Sequence, residues 1–302
     1  MTDRHPQRTT VAVPGGDLAV LRWPADDPAA PTVLALHGIT ANGLAWGEVA
    51  EQLAGRVALV APDLRGRAGS RAVAGPYGLA RHADDAAAVL DHLGLDDAVV
   101  AGHSMGAWVA ALTAVRHPGR VRRAVLVDGA VSFPLPDGVT EDDALAAVLG
   151  PALARLGQAF PSRDAYRDFW REHPAFGDDL WTARLDAHLL YDLVGDEPEL
   201  RSSCVAEAVH TDGSQVLLDP EAAEAIRKLP CPATLLWAER GLLDQPQGMY
   251  DADRLTAAAL DPVTVTTVAA PGTNHYTVLL GERGARAVAD LILAEPRAEG
   301  RP

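Results

Sequence analysis

Apolar and polar positions along the chain alternate between two regimes. Runs that are apolar at every position, Val33-Leu34-Ala35-Leu36, Ala98-Val99-Val100-Ala101 and Ala124-Val125-Leu126-Val127, recur between longer stretches of helical spacing. A strand that is apolar on both faces is one sandwiched between helix layers, so these three predict the middle of a mainly parallel sheet. The predicted strands are Thr10 to Val13, Leu18 to Trp23, Thr32 to His37, Val57 to Ala61, Ala98 to Gly102, Arg123 to Asp128, Ala233 to Ala238 and Val263 to Ala269. The first two, divided by Pro14-Gly15-Gly16-Asp17, predict an antiparallel hairpin. Helices are predicted from Trp46 to Leu53, Leu79 to Leu93, Ala107 to Arg116, Pro220 to Lys228, Asp251 to Leu260 and Glu282 to Ala294. This alternation builds an α/β fold.

Between the sixth and seventh strands the alternation stops, from Gly129 to Pro230, and helical periodicity takes over. The expected organisation is a core of 1–132 and 231–302 carrying a helical cap at 133–230. Cap helices are expected from Glu141 to Leu156, Arg163 to Glu172, Asp178 to Val194 and Ser202 to His210. All four phenylalanines (Phe133, Phe160, Phe169, Phe176) fall in this segment or where it begins, with Tyr166, Trp170, Trp181 and Tyr191. Most of these rings are expected to hold the cap together, and some to form an apolar roof over the sheet. The tail from Glu295 to Pro302 is expected to fray.

The 302 residues, 48% of them hydrophobic, can bury a large core. Acidic residues outnumber basic ones 41 to 26, and a formal charge of −15 repels phosphate backbones and anionic lipid surfaces. The polar stretch Met1 to Gly16 reads neither as a signal peptide nor as a membrane span, and two cysteines, Cys204 and Cys231, form no disulfide framework. A cytoplasmic protein follows, with both cysteines as packing residues. The expected partner is a small-molecule substrate, with no nucleic acid, no membrane and no cofactor, a homodimer being left open.

Gly102-His103-Ser104-Met105-Gly106 follows a strand and precedes a helix. That context suits a nucleophile elbow, in which a sharp turn holds the central serine in strained geometry and glycines leave room for the strand to cross the helix. Ser104 is the candidate nucleophile. A hydroxyl needs a base within hydrogen-bond reach and a third group to fix that base. His275, in Asn274-His275-Tyr276, lies past the last strand and before the final helix, at the same sheet edge. The acid is open between Asp128, which ends the sixth strand, and Asp244, after the seventh, with Glu239 behind them. An oxyanion needs two donors. The amides of Met105 and Ile39 are the candidates, the second from His37-Gly38-Ile39-Thr40. Gly38, Thr40, Asn42, Trp46, His103, Trp108, Phe133 and Tyr276 are expected to border the substrate pocket.

Taken together, His37-Gly38, Asp63-Leu64-Arg65-Gly66 running on to Gly69-Ser70, the elbow at Gly102 to Gly106 and Asn274-His275 resemble an α/β-hydrolase with a cap domain, over nearly the whole chain. The resemblance implies an eight-stranded sheet, a lid and a serine-acid-histidine triad. Two positions depart from it. The family's usual Gly-x-x-Asp after the seventh strand is Ala238-Glu239-Arg240-Gly241 here, and related haloalkane dehalogenases sometimes place the acid after the sixth strand, as Asp128 would be. Ala68 stands where the family often has glycine. A serine at the elbow, where dehalogenases and epoxide hydrolases resembling this fold carry aspartate, implies acyl transfer to water from an ester, thioester or lactone. Carbon-carbon bond hydrolysis, perhydrolysis and a non-catalytic ligand-binding role are the alternatives.

Overall fold

The computed structural model describes residues 4–135, 138–177 and 180–294, with the side chains at 141 and 147–153 outside the description. The first three residues, Asp178 at the expected start of a cap helix, and the tail from 295 lie outside it too. The strands are β1 (Gln7–Val13), β2 (Gly16–Trp23), β3 (Thr32–Leu36), β4 (Ala58–Pro62), β5 (Ala98–His103), β6 (Val121–Val127), β7 (Leu193–Val194), β8 (Arg201–Ser202), β9 (Ala233–Arg240) and β10 (Val265–Asn274). Eight form one sheet in the order β1-β2-β4-β3-β5-β6-β9-β10, and the two-residue strands β7 and β8 pair apart from it. Strand β2 runs antiparallel to β1 and β4, while every other pairing in the large sheet is parallel. The hairpin turn is tighter than expected: Val13 pairs with Gly16, with Gly15 at φ 104° and Gly16 at φ 145°.

Successive residues of a strand point to opposite faces. Leu34 and Leu36 of β3 accordingly join a core layer with Leu79 and Val89 of α2 (Leu79–His92) and Leu112 of α3 (Met105–Arg116). Val33 and Ala35 join the opposite layer, with Leu53 of α1 (Gly47–Leu53) and Val288 of α11 (Glu282–Leu293). The central strands are apolar throughout because both faces are covered. Among the described residues no helix is long and apolar enough to cross a membrane.

The insertion between β6 and β9 holds α4 (Glu141–Leu156), α5 (Arg163–Arg171), α6 (Ala183–Tyr191), α7 (Ala206–Leu218) and α8 (Pro220–Ala225). Hydroxyl and carboxylate caps set where α4, α5, α6 and α8 start, by accepting the otherwise unpaired amides of a first turn. Thr140 and Asp143 form a capping box, Ser162 accepts from Ala165 N at 3.1 Å, and Thr182 accepts from Leu185 N at 3.1 Å. The Thr182 cap is why α6 begins later than the periodicity predicts. Helix α7 also begins later than expected, because Ser202 and Ser203 are drawn onto Asp192 Oδ1 at 3.0 and 2.9 Å. Aromatic and leucine residues of α5 and α6 form their own cluster, with Phe160, Tyr166, Trp170, Phe176 and Leu185. Val209 of α7 and Ala222 and Ala225 of α8 instead belong to the core layer beside the sheet.

A buried loop after β4 braces the sheet edge from below. Arg65 donates from Nε and Nη2 to the two oxygens of Asp85 at 2.6 and 2.8 Å, and also to the carbonyls of Ala74 and Pro14. Arg81 reaches the same carboxylate at 3.0 Å from a more exposed position. Removing one partner of a buried pair leaves the other charge desolvated, which costs more than the pair contributes. Arg65→Met is expected to lower unfolding free energy by ~3–5 kcal/mol, measured by guanidinium denaturation, with the double variant Arg65→Met, Asp85→Leu losing less than the single one.

Candidate active site

Strand β5 enters α3 through Ser104, whose φ of 53° and ψ of −127° lie outside the regions open to most L-residues. The crossing tolerates no side chains around it. A Cβ on Gly102 would overlap the Gly106 carbonyl, one on Gly106 the Leu36 carbonyl, and one on Gly129 the carbonyl of Ser104 itself. From Ala98 to Ala114 every residue is buried except Ser104. The turn thus lifts one hydroxyl out of a packed core.

His275 follows β10, is buried, and places Nδ1 2.7 Å from Asp128 Oδ2. Asp128 is fully buried at φ 45°, and its other oxygen accepts from Ala238 N at 3.0 Å. The ring is thereby fixed with Nδ1 donating to the carboxylate and Nε2 left as the acceptor. Ser104 and His275 line one cavity. His103, next to the serine, donates from Nε2 to the His275 carbonyl at 2.8 Å, so the elbow also holds the histidine loop.

The loop after β3 closes the other side. Gly38 lies so near the serine that an added Cβ would be 3.2 Å from Ser104 Cβ. His37 sets this loop by donating from Nδ1 to the Gly38 carbonyl at 2.7 Å and accepting from Leu64 N at 2.8 Å. Arg67 Nε holds the Ile39 carbonyl at 2.9 Å. The amides of Ile39 and Met105 have no acceptor among the described residues, and both residues line the cavity. Two free donors beside a raised hydroxyl can bind an oxyanion formed there. Ala68, at φ 39°, holds a left-handed turn in the bracing loop where glycine would be unstrained.

The other two acid candidates are engaged elsewhere. Asp244 takes both hydrogen bonds of the Arg240 fork at 2.8 Å, which holds its carboxyl below the usual range, and accepts from Asn274 Nδ2 at 3.0 Å. Glu239 accepts from Gly272 N at 2.8 Å. Neither pairs with His275; both tie down the segment that carries it. Of the expected pocket residues, Gly38, Thr40, Asn42, His103, Trp108 and Tyr276 line the cavity. Two do not. Trp46 is wholly buried in the layer with α1, because the helical turn Gly43–Trp46 directs it under the sheet. Phe133 packs on Tyr250 at 6.1 Å beneath the Arg254 guanidinium at 4.2 Å.

The cavity, about 160 Å³, has mostly apolar walls, Leu145, Trp170, Phe176, Leu189, Val216 and Met249 among them. Its polar roof was not foreseen. Arg155 of α4 is buried against Asp192 and Tyr166 and donates from Nη2 to the Thr40 carbonyl at 3.2 Å. His188 of α6 meets Asn42 at 2.9 Å. Nothing local marks these residues: Arg155 sits among many arginines, and its partners are 11 and 37 positions away.

The family model described as Alpha/beta hydrolase family matches residues 33–291. Lipase LipV of Mycobacterium tuberculosis is 36% identical over 149 residues, 47% of this chain and 54% of that protein. A 2-hydroxymuconate semialdehyde hydrolase of a Pseudomonas species is 36% identical over 119 residues, 38% of this chain and 42% of that one. The chain thus spans about half the length of these curated relatives. Among solved structures, an E-2-(acetamidomethylene)succinate hydrolase superimposes with a TM-score of 0.77 at 22% identity, over 96% of this chain and 100% of the other. The thioesterase domain from the curacin biosynthetic pathway gives 0.73 at 22%, over 96% and 99%.

The histidines around the cavity leave a pH signature. Burial lowers His37 and His103 to about 3 and His188 to about 4, so all three rings are neutral at pH 7. A histidine depressed in the folded state contributes stability that is present above its unfolded value near 6.5 and lost as pH falls toward the folded value. Unfolding free energy is therefore expected to decline from pH 7 to pH 5, by up to ~1.4 kcal/mol per pH unit for each such ring. Urea titrations of His37→Gln should show a shallower decline; an unchanged slope would refute the assignment.

Proposed function

The chain belongs to the alpha/beta hydrolase family, and from that premise we propose that it is a serine hydrolase that cleaves an ester, thioester or lactone bond of a small, fairly apolar substrate. The observation that carries this reading is the buried His275–Asp128 pair at 2.7 Å beside a strained Ser104 and two free amides. In the proposed cycle His275 Nε2 takes the proton of Ser104 Oγ as that oxygen attacks the carbonyl carbon. The negative charge moves to the former carbonyl oxygen, where the amides of Ile39 and Met105 receive it. The bond to the leaving group then breaks, and His275 returns its proton to the departing oxygen or sulfur, leaving Ser104 acylated. Water repeats the sequence and releases the acid. Asp128 keeps the ring in one tautomer throughout and offsets the charge it acquires.

Cavity size and wall chemistry support the substrate class. A dry apolar cavity of ~150 Å³ accommodates a benzene-sized guest, so about 160 Å³ under the cap suits a short acyl chain or a single ring. The insertion at 133–230 acts as the lid in this reading. Carbon-carbon bond hydrolysis on the same residues is the second reading, favoured by the similarity to the 2-hydroxymuconate semialdehyde hydrolase.

Three variants test the roles. Ser104→Ala is expected to abolish both turnover of p-nitrophenyl butyrate and covalent labelling by a fluorophosphonate, read by intact mass. Asp128→Asn is expected to lower kcat by ~10⁴-fold, the cost of the wrong tautomer, whereas Asp244→Asn costs less than tenfold. A wild-type protein that labels but turns over only carbon-carbon substrates would favour the second reading; Ser104→Ala with undiminished esterase activity would overturn both.

A further inference from the structure

We propose that His188 forms a second recognition point in the cavity, at which the substrate donates a hydrogen bond from a neutral hydroxyl or N–H group. This rests on the serine-hydrolase reading only for the name of the substrate; the contact itself is a property of the cavity.

The side chain of Asn42 defines the ring. Its Oδ1 accepts from Leu44 N at 3.0 Å and its Nδ2 donates to the His188 carbonyl at 3.0 Å, which fixes the amide the right way round. His188 Nδ1, 2.9 Å from that same Oδ1, must then carry the proton, because an amide oxygen only accepts. The other nitrogen, Nε2, is a bare acceptor. It has no partner among the described residues, and the ring lines the cavity although it is only 8% exposed. An acceptor left unpaired in an apolar pocket is costly, so a bound molecule able to donate is favoured over one that cannot.

The charged groups beside the ring narrow the class further. His188 feels Asp192 and Arg155 with opposite effect, and those two are already paired with each other and with Tyr166. The Arg155 guanidinium also spends Nη2 on the Thr40 carbonyl. The roof therefore presents a neutral acceptor next to an ion pair whose two Nη groups are engaged and whose remaining Nε is buried out of reach of a ligand. A carboxylate would meet the lone pair of Nε2 and gain no free cation in return. A neutral hydroxyl or amide N–H donor fits.

Binding to Ser104→Ala, which requires no turnover, separates this contact from the reaction. Isothermal calorimetry would compare methyl butanoate with methyl 2-, 3- and 4-hydroxybutanoate and with 2-hydroxyethyl butanoate, which sample both sides of the ester. At least one hydroxylated ester is expected to bind about tenfold more tightly than methyl butanoate, the worth of one neutral hydrogen bond. That ratio should fall to about one in Ser104→Ala, His188→Leu and be partly kept in Ser104→Ala, His188→Gln, whose amide oxygen can accept. No preference in the starting variant, or a preference that survives His188→Leu, overturns the proposal. A preference that behaves as expected in a protein whose wild type hydrolyses none of these esters would leave the contact standing and overturn the esterase reading alone.

Discussion

The site depends on one steric constraint, the close crossing of β5 and α3. Three glycines, Gly102, Gly106 and Gly129, surround a serine held in a strained conformation, and each would drive a Cβ into a backbone carbonyl. Strain of this kind costs of order 1–3 kcal/mol and persists only where packing over-determines it. Here the packing is a sheet buried on both faces, with Ala98 to His103 wholly enclosed. The core makes the turn possible, and the turn delivers both a hydroxyl and the free amide of Met105 to the same rim.

The second element of the rim, the loop after β3, is held by buried polar contacts. His37 and Arg67 reach it from the sheet side, one through the Gly38 carbonyl and the other through the Ile39 carbonyl. Arg67 is in turn paired with Asp212 of α7 at 2.6 Å, and Asp212 accepts from His82 of α2 at 2.8 Å. Arg155 binds the next carbonyl, that of Thr40, from the roof. Arg67, paired with Asp212 of the insertion, and Arg155, which belongs to it, thus grip consecutive peptides of the loop that carries Ile39. Buried pairs of this sort contribute little net stability, and here Arg67 Nη2, Asp212 Oδ1, His82 Nδ1 and Arg155 Nε stay buried without a partner among the described residues, so what the pairs supply is position. Helices α7 and α4 therefore bear on the geometry of the loop that carries Ile39 as well as on the cavity ceiling.

Much of this was legible in sequence because it is local. The elbow spans five residues, the strands are short apolar runs, and Asn274-His275 follows the last of them; each signal lies within a window that periodicity or turn chemistry can read. The acid was not decided by the same means. Asp128 and Asp244 both follow strands at the same edge, and only the three-dimensional pairing separates them: one carboxylate is buried against Ala238 N and His275, the other is half-exposed on Arg240. The roof was harder still. Arg155 comes from a helix, Ser202 from the short strand β8, and Asp192 and Ser203 from the residues next to β7 and β8, and no spacing rule links them. Trp46 and Phe133 went astray for the opposite reason, since closeness in sequence to pocket loops says nothing of which way a ring turns.

Pairing His275 with a carboxylate just past β6 has a structural consequence for the loop after β9. With His275 supported by Asp128, the carboxylate of Asp244 is free to act as a clip: it joins Arg240 to Asn274 Nδ2, which also donates to the Ala175 carbonyl at 3.1 Å. Asn274 Oδ1 meanwhile accepts from the amides of Tyr276 and Thr277 at 3.0 and 2.8 Å, starting the short helix α10 (Thr277–Leu280). One asparagine therefore ties the histidine loop to the aromatic part of the insertion and to the loop after β9 at once. Because Phe176 lines the cavity, the side chain of Asn274 joins the residue beside that wall, Ala175, to the position immediately before His275. The division of labour between two aspartates, one buried to orient a ring and one at the surface to hold the loop, explains why a chain lacking the family's usual Gly-x-x-Asp can keep its histidine in register with the elbow.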